Sequence, residues 1–217
     1  AGVSTGDYSI DNSLRFNDDD SARLTRTPSV AGNRKTWTWS GWVKRGNLGA
    51  IQTIFSGGTI GSVPVFMQFN DATYGIQDSI WISVDHPTQY VAVNTTRVFR
   101  DVGAWYHIVF VLDTTQSVAT NRIKLYVNGE LIPSSDFTHH WTSAWTQLVQ
   151  NSDREFNSTL PHSIGGRVDS TRYLDGYLAE VNFVDGQALT PSDFGETDET
   201  YGHWKAKAYT GTYGTNG

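Results

Sequence analysis

The amino-acid sequence predicts an all-β chain that folds as a two-sheet antiparallel β-sandwich of jelly-roll topology. The first observation behind this prediction is that apolar and polar residues alternate with a period of two in almost every hydrophobic segment. The second is that these segments are short and separated by glycine-containing turns. The third is composition: aromatic residues make up 13% of the chain and glycine occurs 21 times, which favours strands and turns.

The predicted strands follow one another along the chain. Ring and hydroxyl side chains alternate between residues 36 and 44, and alternation recurs between residues 79 and 84. Residues 105–113 are more continuously apolar, which is typical of a strand covered on both faces. Residues 122–127 alternate again, and Asn128-Gly129 then predicts a tight hairpin before a return strand. Four tryptophans in these segments are expected in the core: Trp37, Trp39, Trp81 and Trp105.

Aspartate and glycine mark the turns around one further strand. Asp175-Gly176 and Asp185-Gly186 are predicted to bracket it, because Asp tolerates the left-handed region and Gly supplies positive φ. Residues 190–194 then predict a single helical turn, in which Asp193 acts as a capping residue. Glu180 lies alone in the middle of the bracketed strand, and turn chemistry does not explain it.

The length and the net charge of the chain limit its possible domain organisation and its possible binding partners. The 217 residues fit one sandwich domain at residues 1–200, followed by a Gly/Thr/Tyr-rich extension at 201–217 that is expected to lead into further sequence. The net charge of −6 argues against nucleic acid and against an anionic membrane surface as partners. No apolar run approaches the length of a membrane-spanning helix, and the absence of cysteine excludes disulfides and thiolate metal sites.

Residues 133–160 interrupt the alternation and form the predicted functional segment. Long irregular insertions in compact domains are usually either functional or disordered. Here tryptophan rings would stack on the apolar faces of sugars while polar side chains bind the hydroxyl groups. The candidate ligand-binding residues are Trp141, Trp145, His139, Asn151, Asp153 and Arg154. The alternative is that both tryptophans pack against the sandwich edge or a neighbouring subunit.

The order of several motifs resembles the laminin-G-like and concanavalin A-like lectin fold. These motifs are WYHIVF at 105–110, KLYVNG at 124–129, IGG at 164–166, LDGYLAEV at 174–181 and ALT at 188–190. The resemblance covers roughly residues 100 to 195, and residues 14–16 fit more loosely as a first strand. It implies a β-sandwich in which loop carboxylates can bind one calcium ion at a sheet rim. The conceivable calcium ligands are Asp113, Asp169 and Asp175, with a role in turns as the alternative.

A narrower resemblance concerns three longer stretches of the chain. Residues 13–29, 33–46 and 175–195 resemble virion proteins of marine bacteriophages, including cyanophages. This resemblance implies display on the surface of a virus particle, with other virion proteins or copies of the chain as partners. The expected function is therefore a non-enzymatic surface module, as a capsid decoration, fibre or tail-associated domain. Such a module would support assembly and weak attachment to cell-surface glycans, with no required cofactor.

Two alternatives to this function remain open. One is a purely structural contact domain without any ligand. The other is a laminarinase-like glycoside hydrolase, which needs two carboxyl groups about 5–5.5 Å apart across the sugar. The chain has five glutamates, and the nearest match to the hydrolase pattern, residues 196–199, lies in a segment without strand alternation. Because Glu180 also lacks an acidic partner on its strand, the sequence favours a non-enzymatic role.

Overall fold

The computed structural model describes residues 8–59, 65–84, 91–139 and 148–217. Most of the secondary structure in this part of the chain is β-strand, with a few single-turn 3₁₀ helices. The strands are β1 (Leu14–Phe16), β2 (Leu24–Arg26), β3 (Thr36–Arg45), β4 (Gln52–Gly57), β5 (Val65–Phe69), β6 (Ser79–Val84), β7 (Ala92–Val98), β8 (Tyr106–Asp113), β9 (Ile123–Val127), β10 (Glu130–Leu131), β11 (Phe137–His139), β12 (His162–Ile164), β13 (Gly176–Asp185), β14 (Gly195–Thr197) and β15 (Trp204–Ala206).

Two antiparallel sheets form the sandwich, as the sequence predicts. Sheet A has the strand order β1-β13-β3-β8-β9-β10, and sheet B has the order β11-β7-β6-β5-β4-β12-β2. The strands β14 and β15 pair separately as a small hairpin. No helix in the described ranges is long and apolar enough to cross a bilayer.

Alternation along each strand places one set of side chains between the sheets. Trp37 and Trp39 of β3 are completely buried, and the ring of Trp37 meets that of Phe110 edge to face at 5.0 Å. The core predictions for these two tryptophans are therefore confirmed. Trp81 is also buried, but it belongs to a separate cluster with Phe66 and Ala92 on the outer face of sheet B.

Residues after β13 cover the outer face of sheet A. Val109 and Val111 of β8 point outward and pack against Phe194 and Tyr209. The predicted helical turn is confirmed as a 3₁₀ helix, Pro191–Asp193, whose Asp193 carboxylate accepts a hydrogen bond of 2.8 Å from the Thr190 N–H.

The C-terminal segment 201–217 packs on the sandwich. The Asp185 N–H donates to the Tyr213 carbonyl at 2.8 Å, and the Asn216 N–H donates to the Asp185 carboxylate at 3.2 Å. Asp185 also accepts hydrogen bonds from Asn33 and Asn157, so this buried carboxylate joins three separate stretches of chain.

Glu180 occupies a β-bulge in β13. The register between β13 and β3 shifts between Ala179 and Asn182, and the Glu180 backbone has a φ of 48°. This left-handed conformation costs a residue other than glycine about 1–2 kcal/mol. The bulge follows Leu178, where β1 stops pairing with β13. The lone acid that turn chemistry left unexplained thus lies at an irregularity of the strand.

Glu180→Gly is expected to have a free energy of unfolding about 1 kcal/mol higher than Glu180→Ala, because glycine adopts positive φ without the steric penalty. Urea unfolding measures the difference. Glu180→Ala is the matched control: it removes the same carboxylate but keeps the Cβ, so it keeps the steric penalty. Equal unfolding midpoints for the Gly and Ala variants would show that the bulge is unstrained.

Candidate functional site

The predicted ligand-binding residues of the insertion fall into three groups. Asn151 and Asp153 are exposed, and the Asn151 N–H donates to the Thr114 carbonyl at 2.8 Å, beside the loop that follows β8. Arg154, in contrast, is completely buried, and its guanidinium donates to the Ser152 hydroxyl at 3.0 Å. Arg154 therefore lies in the interior and not on a binding rim.

The remaining predicted residues of the insertion lie mostly outside the described ranges. His139 belongs to β11, a short strand in a segment for which the sequence predicts none. Its side chain, and residues 140–147 with Trp141 and Trp145, are outside the described residues. A glycan-binding rim formed by these tryptophans stays a prediction.

The three predicted calcium ligands each have partners within the protein. Asp113 accepts hydrogen bonds from Thr115 and Gln116. Burial alone would raise the pKa of Asp113, but these hydrogen bonds outweigh it and lower the pKa. Asp175 pairs with Arg15 and Asp169 with Arg167, at 2.9 and 3.4 Å.

The fold also separates two of these carboxylates. Asp113 lies opposite Thr36 at the start of β3, whereas Asp175 precedes Gly176, which lies opposite Arg45 at the end of β3. A strand of ten residues spans about 30 Å, so one ion cannot bind both carboxylates. Over the described ranges, no group of three or more His, Asp or Glu residues is arranged to hold a metal.

The acidic run nearest to a glycosidase pattern lies on the β14–β15 hairpin. Glu196 belongs to β14, although the sequence predicts no strand there. The Lys205 ammonium pairs with Glu196 at 3.7 Å and with Asp198 at 3.3 Å. These carboxylates therefore form ion pairs on the hairpin.

A candidate site with two indoles in its wall is a cleft on the outer face of sheet A. It has a volume of about 350 Å³ and lies between β3, β13, β15 and the N-terminal segment. We call it the Trp42–Trp105 cleft, after the two half-buried indoles in its wall. The other lining residues are Tyr8, Ile10, Asp11, Asn12, Ser13, Ala179 and Ala206.

The local sequence explains why both indoles reach the surface. Trp37 and Trp39 occupy the inward positions of β3, so the even-numbered Trp42 points outward. Trp105 precedes β8, which begins at Tyr106, and its ring lies 6.4 Å from that of Tyr177. The prediction that Trp105 is a core residue is therefore wrong, because the residue stands just outside the strand.

Polar groups beside the indoles complete the chemistry of the cleft. Asp11, Asn12 and Ser13 are exposed and offer hydrogen-bonding groups next to the rings. Burial and a hydrogen bond with Glu180 raise the pKa of Tyr8 to about 12, so its hydroxyl stays protonated at neutral pH. A few polar groups around apolar walls are the usual composition of a small-ligand site.

The outer face of sheet B is less suited to a ligand. A polar and aromatic row crosses its strands at Thr53, Gln68, Trp81 and Asn94, which are register partners on β4 to β7. Each of these side chains is at most 7% exposed. Because a sugar cannot reach buried groups, the Trp42–Trp105 cleft is the better candidate.

Together, the two antiparallel sheets define a protein of the β-sandwich class. Residues 16–193 match the Laminin_G_3 family model, described as the concanavalin A-like lectin/glucanases superfamily. Since the match covers most of the chain, the protein belongs to this superfamily. A comparison with curated proteins found no match.

Three solved structures share the fold at low sequence identity. A putative carbohydrate binding protein from Bacteroides ovatus has a TM-score of 0.57 and 18% identity, over 85% of this chain and 46% of that chain. Domain 4 of AbnA, an extracellular arabinanase from Geobacillus stearothermophilus in complex with arabinotriose, has a TM-score of 0.51 and 19% identity, over 78% and 68%. The enzymatically active domain of tailspike protein 2 of bacteriophage CBA120 has a TM-score of 0.51 and 13% identity, over 85% and 26%.

Proposed function

We propose that this chain is a non-enzymatic, glycan-binding surface module of a bacteriophage particle, as a capsid decoration, fibre or tail-associated domain. Membership of the lectin/glucanases superfamily supports the glycan-binding part of the proposal. The sequence resemblance to marine phage virion proteins supports the particle context, with other virion proteins or further copies of the chain as partners. A phage tailspike is also among the proteins with a similar fold.

The observation that carries this proposal is the pair of half-buried indoles in the Trp42–Trp105 cleft. Neither ring belongs to the core between the sheets, and both rings line the cleft. Indoles stack on the C–H faces of pyranose rings, and the neighbouring Asp11, Asn12 and Ser13 can bind hydroxyl groups.

The size of the cleft sets the expected affinity. A volume of about 350 Å³ accommodates a short stretch of sugar and no more. Binding at one site is therefore expected to be weak, and firm attachment would come from many copies on one particle.

Replacing Trp105 with Ala is expected to weaken glycan binding at least tenfold, because one stacking surface is lost. A printed array of algal, bacterial and plant glycans, probed with the full chain, measures the binding. The matched control is Tyr201→Ala, since Tyr201 is an aromatic residue that is 80% exposed and lies outside the cleft. Chelation with EDTA should leave the signal unchanged, because the proposal requires no metal.

Three outcomes of this experiment contradict the proposal. If binding persists in Trp105→Ala but is lost in Trp141→Ala and Trp145→Ala, the glycan-binding site lies in the insertion at residues 133–160 and not in the cleft. An array without any retained glycan would reject glycan binding. Turnover of laminarin that is lost in Glu180→Gln would reject the non-enzymatic assignment in favour of a glycoside hydrolase.

A structural contact without ligand is the second candidate function. The edge strands β1 and β2 carry Leu14 and Leu24, whose side chains are 48% and 51% exposed. Exposed apolar residues on sheet edges favour contact with another chain. An image of the assembled particle in which these edges are covered and the Trp42–Trp105 cleft is blocked would support this candidate.

A further inference from the structure

His107 lies directly behind the Trp42–Trp105 cleft, between two tryptophans. Its ring stacks on Trp42 of β3, with centroids 5.0 Å apart, and on Trp204 of β15, with centroids 5.9 Å apart. Trp42 forms one wall of the cleft, and Ala206, two residues after Trp204 on the same strand, forms another. His107 therefore contacts both elements that carry these walls.

Hydrogen bonds fix the protonation state of His107. The Trp204 Nε1–H donates to His107 Nδ1 at 2.9 Å, and an indole nitrogen can only donate. Nδ1 must therefore be the unprotonated nitrogen, and Nε2 carries the hydrogen that bonds to the Ser40 hydroxyl at 2.9 Å. Both ring nitrogens are used by the neutral imidazole.

The indole of Trp204 also fits closely against backbone. A Cβ on Gly129, whose φ is 85°, would lie 2.6 Å from the Trp204 ring, and a Cβ on Gly195 would lie 2.5 Å from it. The two glycines leave room for the ring. The hairpin therefore docks on sheet A through Trp204, with the hydrogen bond to His107 as the directional contact.

Protonation of His107 would break this arrangement. A hydrogen on Nδ1 would face the Trp204 N–H at 2.9 Å, so that two donors oppose each other without an acceptor. The imidazolium charge would also be buried, since His107 is 1% exposed. The hairpin can relieve both costs by leaving sheet A, which removes the Ala206 wall of the cleft.

Charged groups on the surrounding elements do not offset this cost. The charged and titratable groups are Lys44 and Arg45 on β3, Lys124 on β9, Glu130 on β10, and Glu196, Asp198, Glu199, His203 and Lys205 on the hairpin. Lys205 already pairs with Glu196 and Asp198. Burial is the cause that lowers the pKa of His107 to about 4.

We infer that His107 is a positioning residue for the Trp42–Trp105 cleft. As a neutral imidazole, it keeps the β14–β15 hairpin docked, so that Ala206 completes the wall on the β15 side. In acid the hairpin is released, and the cleft loses this wall. This inference rests on the proposed glycan-binding function, because it assigns the regulation of that site.

The expected pH range follows from the direction of the pKa shift. The pKa of His107 in the folded chain, about 4, lies below the ordinary value of about 6.5. Because the pKa is lowered in the docked state, the contribution of neutral His107 to docking is complete above about pH 6.5. Docking weakens between pH 6.5 and 4, and the hairpin is released as the pH falls through about 4.

Hydrogen–deuterium exchange of the full chain tests the release without any glycan. After correction for intrinsic exchange rates, peptides covering residues 195–207 should exchange at least tenfold faster at pH 4 than at pH 7. Peptides covering β8 should remain protected at both pH values. Trp204→Phe is the matched variant, since it keeps a ring against Gly129 and Gly195 but removes the donor that opposes protonated Nδ1. His107→Gln removes the titrating group and should abolish the acid-dependent step, whereas Trp204→Phe removes only the opposed donors and should make the step smaller.

Other outcomes overturn the inference. The first is that the hairpin exchanges at the same rate at both pH values. The second is that β8 and the hairpin lose protection together. The third is that the acid-dependent increase in hairpin exchange is unchanged in Trp204→Phe or in His107→Gln. For the array glycan with the strongest signal, affinity should fall at least tenfold between pH 6.5 and 4 in the original chain but not in His107→Gln. Constant affinity across this range also overturns the inference. An array without any binding rejects the proposed function, while the exchange result still decides whether His107 controls the hairpin.

Discussion

Replacing Asp78 with Ala is expected to lower the free energy of unfolding by about 3–5 kcal/mol. The Asp78 carboxylate accepts hydrogen bonds from Arg45 at 3.0 Å, from Arg100 at 3.1 Å and from the Gly49 N–H at 2.9 Å. Arg45 is 1% exposed, and its guanidinium also lies 4.2 Å from the ring centroid of Phe69. Without Asp78, a buried positive charge would lose its counter-charge.

Urea unfolding of Asp78→Ala and of a matched control measures this effect. The control is Arg100→Ala, because the Arg100 side chain is 57% exposed while it binds the same carboxylate. Loss of an exposed partner should cost about 0–1 kcal/mol. If the two variants lost similar amounts of unfolding free energy, the burial of Arg45 would not strengthen its ion pair with Asp78.

The Asp78 contribution should also depend on pH in a defined direction. Burial would raise the pKa of Asp78, but the hydrogen bonds from Gly49, Arg100 and Arg45 outweigh it and lower the pKa. A lowered carboxylate pKa gives a stabilisation that is present above the ordinary pKa of Asp. The difference in stability between the original chain and Asp78→Asn should therefore shrink as the pH falls through the lowered pKa.

Replacing Gly176 with Ala is expected to cost about 3 kcal/mol and to unpair the start of β13. Gly176 has a φ of 154°, and a Cβ there would lie 2.1 Å from the carbonyl oxygen of Lys44. The next atoms are the carbonyl carbon of Lys44, at 3.2 Å, and the Cα of Arg45, at 3.3 Å. Because all of these obstacles are backbone atoms of the neighbouring strand β3, no side-chain rotation relieves the overlap.

Gly202→Ala separates the backbone cost from the steric cost. Gly202 also has a positive φ, 72°, but a Cβ there would meet nothing within 4 Å. Its loss should be about 1 kcal/mol, from the left-handed conformation alone. Thermal or urea unfolding that gives equal losses for the two variants would contradict the close contact between β13 and β3.

Local sequence signals predict the central strands well. Alternation at 36–44 and 79–84 corresponds to β3 and β6, and Asn128-Gly129 turns the chain between β9 and β10. The Asp-Gly pairs bracket β13 as predicted. These features depend on side-chain periodicity and turn chemistry, both of which are local.

Other features depend on contacts that a single segment does not reveal. Strands of three residues, such as β11, β14 and β15, are too short for a period of two to be recognised. The bulge at Glu180 arises from the register between β13 and β3, and nothing in the residues around it marks the extra residue. For the same reason, sequence alone does not place residues 201–217 against the sandwich.

The candidate cleft combines residues from five distant segments: residues 8–13, Trp42, Trp105, Ala179 of β13 and Ala206 of β15. No spacing rule joins such segments. One signal within β3 does identify Trp42, since it lies out of phase with the inward Trp37 and Trp39. The continuous apolar run at 105–113 conceals Trp105, because the strand begins one residue later than the run.

The central claim is that the Trp42–Trp105 cleft binds glycan, and indole chemical shifts test it most directly. The ¹⁵N–¹H spectrum of the full chain reports the indole N–H groups of its eight tryptophans. The titrant is the oligosaccharide with the strongest array signal. The Trp42 and Trp105 resonances are expected to shift in proportion to occupancy, while those of the buried Trp37 and Trp39 are not. Shifts confined to Trp141 and Trp145, or no shift at a saturating concentration, would contradict this claim.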